Sequence, residues 1–334
     1  MNYCIFYLTD LYVILGCVSA FEYLLCISKW IMPYAIEVNN IKKKFGDFVA
    51  VDDLSFNVPA GEIFGFLGPN GSGKSTTLRM MLALITPTAG SIDFFGKPLK
   101  KNRSEIMGRI GCIIEKPDFY TYLSAHDNLK LFARANGMDY SNADYKRLYD
   151  QVGLTGRAND KVKTYSHGMK QRLGLAQALL HNPDLIILDE PNTGLDPKGI
   201  IELRELLLKL NREEGKTILF SSHILSEVEE LCDSLIVINN GKTVAQGRVD
   251  SLLSDEDLLV DIEIGNPEEG KALLESSPWQ DLLREQKGNH FRLNLPMEEI
   301  PKVNAFLIDK GIDLISSSYR KRLEDYFLRI TEGA

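Results

Sequence analysis

Cysteine and positive charge are both scarce in this sequence. Only five of its 334 residues are cysteine, without metal-binding spacing, so the chain is not a disulfide scaffold and its Cys112 and Cys232 are typical of reduced core residues. Lys and Arg number 38 against 46 Asp and Glu, and the net charge of −8 argues against a nucleic acid as the main partner. The mean hydropathy of −0.11 excludes a polytopic membrane protein.

The composition that remains is that of a globular chain. Hydrophobic residues make up 44% and charged residues 25%, and we find no internal repeat. The length suffices for one large domain or two ordinary ones with a sizeable core. The first 31 residues depart from this average, since 23 of them are hydrophobic and only Asp10, Glu22 and Lys29 are charged.

This apolar leader, taken as residues 1–33, has three interpretations. The run from Leu11 to Ile27 is nearly long enough to cross a bilayer, although Glu22 would lie within it. No Lys or Arg precedes the run, so it is not typical of a cleaved signal peptide. The leader is a membrane anchor, a buried helix, or an upstream stretch wrongly joined to a gene that starts at Met32. We favour the last, because no motif after Met32 needs it.

After Met32, short apolar strands alternate with helical segments, which predicts a parallel α/β sheet. The predicted strands are Ala35–Val38, Phe48–Val58, Ile63–Leu67, Arg109–Ile114, Asp184–Leu188, Thr217–Ser221 and Ser234–Ile238. The predicted helices are Thr77–Ile85, Ile200–Asn211, Ile224–Cys232 and most of Ser124–Leu154, with a cap at Ser124.

A change of pattern near Asp250 predicts a small α+β appendage. Its strands are predicted at Leu258–Ile264, Phe291–Leu295 and Asp313–Ser317. Its helices are predicted at Pro267–Glu275 and Met297–Lys310. The domain boundaries that follow are 1–33 for the leader, 34–250 for the main domain and 251–334 for an accessory domain.

A glycine-rich phosphate-binding motif directly follows the strand Ile63–Leu67. It reads Gly68-Pro69-Asn70-Gly71-Ser72-Gly73-Lys74-Ser75-Thr76 and fits G-x-x-x-x-G-K-[ST] between a strand and a helix, as that motif requires. Backbone N–H groups and the helix N-terminus would hold the phosphates. Lys74 can reach the β- and γ-phosphates, and the Ser75 hydroxyl suits Mg²⁺. The motif predicts nucleotide binding.

Two carboxylates end the apolar strand before Pro191. Ligands bind at the carboxyl ends of strands in a parallel sheet, so Asp189 is placed to hold Mg²⁺. Glu190 is placed to orient and deprotonate the attacking water. Without other motifs, this pair would indicate only two exposed acids at the start of a loop. Downstream of a phosphate loop, it predicts hydrolysis.

A third motif lies just upstream, in Tyr165-Ser166-His167-Gly168-Met169-Lys170-Gln171-Arg172. Ser166 and Gly168 open a helix that runs to Leu180, and a helix N-terminus attracts anions. Without the other motifs, this pattern would indicate only an ordinary capped helix. Its spacing to Asp189 favours a second phosphate contact.

From Tyr34 to Asp250 the chain resembles the ATP-binding subunits of ABC transporters, because residues 165–169 resemble the LSGGQ signature of that family. The resemblance implies a P-loop NTPase fold of ABC type, with a RecA-like parallel core, an antiparallel β subdomain and a helical subdomain. It implies that Ser166, Gly168 and Met169 contact the ATP held by the opposite subunit. Tyr165, His167 and Met169 depart from the consensus.

Other residues acquire roles through the same resemblance. Asp196, in Thr193-Gly194-Leu195-Asp196, matches the D-loop, and His223 matches the switch histidine that contacts the γ-phosphate. Phe45 matches the aromatic residue that stacks on adenine, although a half-buried hairpin residue would look alike. The tail Arg322–Leu328 resembles an exporter-type ending, and its spacing also fits a helix packed on the core.

Glu115 stands where the family usually has a glutamine that links Mg²⁺ to the membrane partner. The sequence Ile114-Glu115-Lys116-Pro117 resembles the antibiotic and bacitracin exporters. A glutamate still offers an oxygen to the metal, so the implied Mg²⁺ ligands are Ser75, Asp189 and Glu115.

The resemblance implies an ATPase subunit that powers export through a separate membrane-spanning permease. It implies a dimer, with a copy or a paralogue, that sandwiches ATP and Mg²⁺, and a place at the cytoplasmic face of the membrane. The alternative is a soluble ABC-type ATPase with a non-transport partner, but such proteins usually carry two ATP modules or a coiled-coil insert.

Overall fold

The computed structural model of the chain describes residues 33–115, 117–252, 258–321 and 327. The predictions for the leader and for most of the Arg322–Leu328 motif concern residues outside these ranges. Among the residues that the structure describes, no helix is long and apolar enough to cross a membrane.

The strands and helices follow the chain in this order. The strands are β1 (Tyr34–Phe45), β2 (Phe48–Pro59), β3 (Ile63–Leu67), β4 (Ala89–Phe94), β5 (Lys97–Pro98), β6 (Ile110–Ile113), β7 (Leu185–Asp189), β8 (Thr217–Ser222), β9 (Ser234–Asn239), β10 (Lys242–Arg248), β11 (Leu258–Ile264), β12 (Leu283–Lys287), β13 (His290–Leu295) and β14 (Leu314–Lys321). The α-helices are α1 (Lys74–Met81), α2 (Leu99–Met107), α3 (Ala125–Ala135), α4 (Asn142–Gln151), α5 (His167–Leu179), α6 (Pro197–Arg212), α7 (Leu225–Leu231), α8 (Val249–Leu252), α9 (Pro267–Glu275) and α10 (Ile300–Asp309).

A six-stranded sheet forms the centre of the main domain, in the order β10-β9-β3-β8-β7-β6. All neighbours in it are parallel except β10, which pairs antiparallel with β9. A separate antiparallel sheet has the order β2-β1-β4-β5. Together with the helical segment α3–α4, these sheets confirm the predicted fold class.

Alternate residues of the central strands face two hydrophobic clusters. Ile63 and Leu67 of β3 belong to a cluster that includes the buried faces of α3 to α7. Phe64 and Phe66 belong to a second cluster, shared with β1, β2, β4, α1 and α2. Because both faces of the sheet are covered at its centre, β3, β7 and β8 are buried at every residue.

The predicted helical segments Thr77–Ile85 and Ser124–Leu154 differ from the structure for local reasons. The helix predicted at Thr77–Ile85 is α1, which begins directly after Gly73 and ends at Met81. It stops because Ala83 takes a left-handed conformation with φ of 52° and donates its N–H to the Met80 carbonyl. The predicted helical segment Ser124–Leu154 is divided into α3 and α4, and Gly137, with φ of 70°, follows the end of α3.

Residues 258–321 form a third sheet, in the order β12-β13-β11-β14, with α9 and α10 packed on it. Its hydrophobic cluster is separate from the two others. The three predicted strands are present. Strand β12 was not predicted, because this edge strand is mostly polar and exposed. The helix predicted from Met297 starts as a 3₁₀ turn and becomes α10 only at Ile300.

Phe327 packs against the main domain. It is helical and only 6% exposed, and it belongs to the cluster that covers α3 to α7. This agrees with the sequence pattern of a helix that packs back on the core.

Candidate functional site

The phosphate loop has a backbone that only glycine can adopt at its key positions. Gly71 and Gly73 have φ of 81° and 104°, in the left-handed region. A Cβ added at Gly68 would lie 2.5 Å from the Ile238 carbonyl oxygen, and one at Gly73 would lie 2.8 Å from that of Ala50. Helix α1 then begins at Lys74 without a side-chain cap, so its terminal N–H groups remain suited to an anion.

Lys74 lies within this loop and is almost fully buried, at 5% exposure. Its Nζ donates hydrogen bonds to the carbonyls of Gly68, at 2.7 Å, and Pro69, at 3.2 Å. The same atom lies 3.2 Å from Oε1 of Glu190. The ammonium group is therefore held at the loop and faces the second acid of the predicted pair.

Ser221 organises the two carboxylates at the end of β7. It pairs with Asp189 in the β7–β8 register, and its Oγ donates to Oδ1 of Asp189 at 2.6 Å. The same Oγ accepts the N–H of Glu190 at 2.9 Å. Glu190 has φ of 46°, a conformation that costs on the order of 1–3 kcal/mol and persists only where its surroundings enforce it.

His223 completes the cluster. Its buried Nδ1 lies 3.2 Å from Oε2 of Glu190, in an orientation that makes no hydrogen bond. Glu190 thus stands between one cationic group, Lys74, and one imidazole. The structure brings together, as predicted, the phosphate loop, the acid pair and this histidine.

The predicted signature forms the start of α5. Ser166 is the N-cap, and its Oγ accepts the N–H of Met169 at 3.2 Å. Tyr165, the first departure from the consensus, is buried and donates its hydroxyl to the Arg157 carbonyl at 2.8 Å. Burial raises the pKa of Tyr165 to about 12, so the hydroxyl stays protonated and can donate.

The predicted D-loop lies directly against the signature. Asp196 caps α6 by accepting the N–H of Gly199 at 3.0 Å. His167, the second departure, lies with Nε2 3.0 Å from the Thr193 carbonyl oxygen. Met169, the third, is partly buried against the cluster under the helices. A cavity of about 380 Å³ beside this contact is lined by residues of both segments.

Phe45 and Glu115 lie on exposed parts of the surface. Phe45 ends β1 opposite Phe48 across the hairpin and is 51% exposed, so its place agrees both with a residue that stacks on adenine and with a half-buried hairpin residue. Glu115 has φ of 63°, and its carboxylate is paired with Arg79 in the last turn of α1. The metal role of Glu115 therefore stays a prediction.

The chain is similar to known ATP-binding proteins of transporters. The model of the ABC transporter family matches residues 51–193. The ABC transporter ATP-binding protein YhcH of Bacillus subtilis, described as uncharacterized, is 41% identical over 302 residues, which are 90% of this chain and 97% of that protein. The bacitracin transport ATP-binding protein BcrA of Bacillus licheniformis is 40% identical, over 90% of this chain and 99% of that protein. The chain belongs to the ABC transporter ATP-binding family.

A solved structure supports the same membership. The ATP-binding subunit of an ABC transporter superposes on this chain with a TM-score of 0.58 at 33% identity. The match covers 65% of this chain and 91% of that structure. As a member of the ABC family, the chain is an ATPase subunit.

The residues of this ABC subunit fit ATP. Lys74 offers a buried ammonium group, and the Oγ atoms of Ser72 and Thr77 are buried without hydrogen-bond partners in the described part of the chain. Ser75 and Asp189 offer the hard oxygen ligands that Mg²⁺ prefers, and Mg²⁺ is often held by one or two carboxylates plus phosphates. Over the described ranges, no group of three or more His, Cys, Asp or Glu side chains could hold a metal alone.

Sequence reasoning missed two contributors to this ABC site. Ser221 was seen only as the end of a strand, although its parallel pairing with β7 could have placed it beside Asp189. Arg79 lies five residues after Lys74 and was counted as an ordinary helix residue. Its pairing with Glu115 depends on a contact between distant segments, which no local pattern reveals.

Proposed function

We propose that the chain binds and hydrolyses ATP with Mg²⁺ to power export through a separate membrane-spanning permease. The observation that carries the proposal is the convergence of Lys74 and His223 on Glu190, beside the phosphate loop. The substrate would be an antibiotic, peptide, lipid or drug, and the bacitracin transport relative supports the first of these classes. The permease would choose that substrate.

Hydrolysis would take place in a dimer, with a second copy or a paralogue. Each ATP would lie between the phosphate loop of one subunit and Ser166, Gly168 and Met169 of the other. The helix terminus capped by Ser166 supports this role, because helix N-termini favour anions. Closure of the dimer would exclude water other than the nucleophile and complete each site.

The residues of one site would divide the work. Lys74 and the backbone of residues 68–76 would bind the phosphates, and Phe45 would stack on the adenine. Mg²⁺, held by Ser75 and Asp189, with Glu115 as a third ligand, would neutralise charge on the phosphate oxygens. Phosphate oxygens would compete with Glu190 for the N–H groups of Lys74. Once released from Lys74, Glu190 would turn toward the attacking water.

Glu190 would accept the proton of that water, and His223 would contact the γ-phosphate. His223 already lies against the carboxylate, so both groups can face one reacting oxygen. Asp196 would connect the two sites of the dimer.

The permease would dock on the segment from Glu115 to Tyr122 and the helices that follow. A cavity of about 470 Å³ there is lined by apolar side chains that include Leu84, Met107 and Phe132. Tyr120 and Tyr122 are exposed beside it, at 47% and 65%. Docking at this place would hold the chain at the cytoplasmic face of the membrane.

The test is to identify the membrane proteins encoded by neighbouring genes and to purify the chain with and without each of them. Export function predicts that the two proteins co-purify from detergent and that the permease raises the ATPase rate. A chain that hydrolyses ATP but binds ribosomes instead of any permease would support the soluble alternative.

A further inference from the structure

Two side chains of α5 bind the backbone of the loop that follows Glu190. The Nε2 atom of Gln171 donates to the Pro191 carbonyl at 2.9 Å, and the Nε2 atom of His167 lies 3.0 Å from the Thr193 carbonyl oxygen. The two residues are four apart, so they share one face of the helix. This face of the signature helix is therefore joined to the D-loop of its own subunit.

The geometry fixes the role of the imidazole. A carbonyl oxygen only accepts, so Nε2 of His167 must carry the proton in this contact, whether the ring is neutral or charged. The ring lies close to Gly194, whose φ is 80°. A Cβ added at Gly194 would come within 3.1 Å of Nε2 and 3.2 Å of Cδ2, so it would push the ring away by a few tenths of an ångström.

The same loop is bonded to Glu190. The N–H of Thr193 donates to the Glu190 carbonyl at 3.1 Å, and that of Leu195 to the Asn192 carbonyl at 3.1 Å. Thr193 thus accepts from His167 through its carbonyl and donates to Glu190 through its N–H. A displacement of the signature segment would reach the backbone of Glu190 through two hydrogen bonds.

We propose that His167 is a positioning residue that couples the signature segment to Glu190 of the same subunit. The idea rests on the proposed ATP sandwich, in which the signature contacts the ATP of the opposite subunit. ATP bound there would restrain Ser166 and Gly168, and His167 would pass this restraint through Thr193 to Glu190. One subunit would then hydrolyse efficiently only when its signature is engaged.

The test compares His167→Leu with His167→Gln in the full chain. Leucine keeps comparable volume but has no donor, whereas glutamine places an N–H at similar reach from the backbone. The leucine variant is expected to lose roughly 3- to 10-fold in kcat, the range of one neutral hydrogen bond, with KM for ATP unchanged and Tm lowered by no more than a few degrees. The glutamine variant is expected to recover at least half of the wild-type kcat.

Hydrogen exchange of residues 190–195 gives a readout that needs no turnover. Exchange in this segment is expected to be faster in the leucine variant and near wild type in the glutamine variant. Equal exchange in all three proteins, or equal kcat in the wild type and the leucine variant, would overturn the proposal. If the wild type shows no ATPase activity while the exchange differs as expected, the proposed function fails and the link from His167 to the loop stands.

Discussion

Lys74 and Glu190 form an ion pair, with 3.2 Å between Nζ and Oε1, although they come from the start of α1 and the end of β7. Strands β3 and β7 both flank β8, so the phosphate loop and the acid pair emerge at the same edge of the sheet. Lys74 is 5% exposed, and such a buried charge needs a partner. The pair therefore joins the proposed phosphate-binding group to the proposed base.

Replacing Glu190 with glutamine tests its assignment as the base. The variant should still bind ATP but lose about 10²- to 10⁴-fold in turnover, because an amide cannot accept the proton of water. Equilibrium binding of a fluorescent ATP analogue and the rate of phosphate release measure the two effects. An ATP-dependent dimer should accumulate on size exclusion. Near-wild-type turnover would show that Glu190 is not the base, and Glu213→Gln, at an exposed residue that follows α6, serves as the control.

Ser221→Ala tests the bridge between the two carboxylates. The substitution removes the hydroxyl that donates to Asp189 and accepts from Glu190, so two buried groups lose a partner. We expect the free energy of unfolding to fall by about 1–3 kcal/mol, measured by urea denaturation. Turnover should also fall, because Glu190 loses the bond that holds its strained backbone. Threonine at this position keeps a hydroxyl and should retain more activity than alanine; equal losses in both variants would contradict the bridge.

The sequence predicted those parts of the fold and site that depend on local order along the chain. The strand–loop–helix at Ile63–Lys74 and the acids after β7 were found because motif and strand are contiguous. The departures Tyr165 and His167 could not be interpreted from sequence, since their partners, Arg157 and Thr193, are set by tertiary packing.

Phe45→Ala tests the adenine contact, with Phe48→Ala as the matched control. Both rings are exposed on the same hairpin, at 51% and 67%, so their removal should cost similar, small amounts of stability. Stacking on a base is worth about 1–3 kcal/mol, so loss of the Phe45 ring should weaken ATP binding roughly 5- to 150-fold. Tryptophan at position 45 should restore binding. Equal affinities of the two alanine variants would show that Phe45 is only a hairpin residue.

Removal of residues 1–31 tests the leader. The sheets and the phosphate loop described above are built from residues after 33, so the shortened chain should bind ATP with unchanged affinity. Membrane fractionation of both forms, each expressed without a permease, separates the interpretations. For a leader that anchors the chain, we expect the full-length form in the membrane fraction and the shortened form in the soluble fraction. Loss of folding would instead identify the leader as a buried helix.

Paired substitutions distinguish a metal-binding role of Glu115 from its pairing with Arg79. Their ion pair is exposed, with side-chain exposures of 65% and 43%, so neither Glu115→Ala nor Arg79→Ala should change the free energy of unfolding by more than about 1 kcal/mol. If Glu115 is a ligand of Mg²⁺, only its removal should raise the Mg²⁺ concentration that gives half-maximal ATPase activity. Glu115→Gln keeps one carbonyl oxygen and should lie between the alanine variant and the wild type. An equal rise in both alanine variants would mean that Glu115 acts only through its pairing with Arg79.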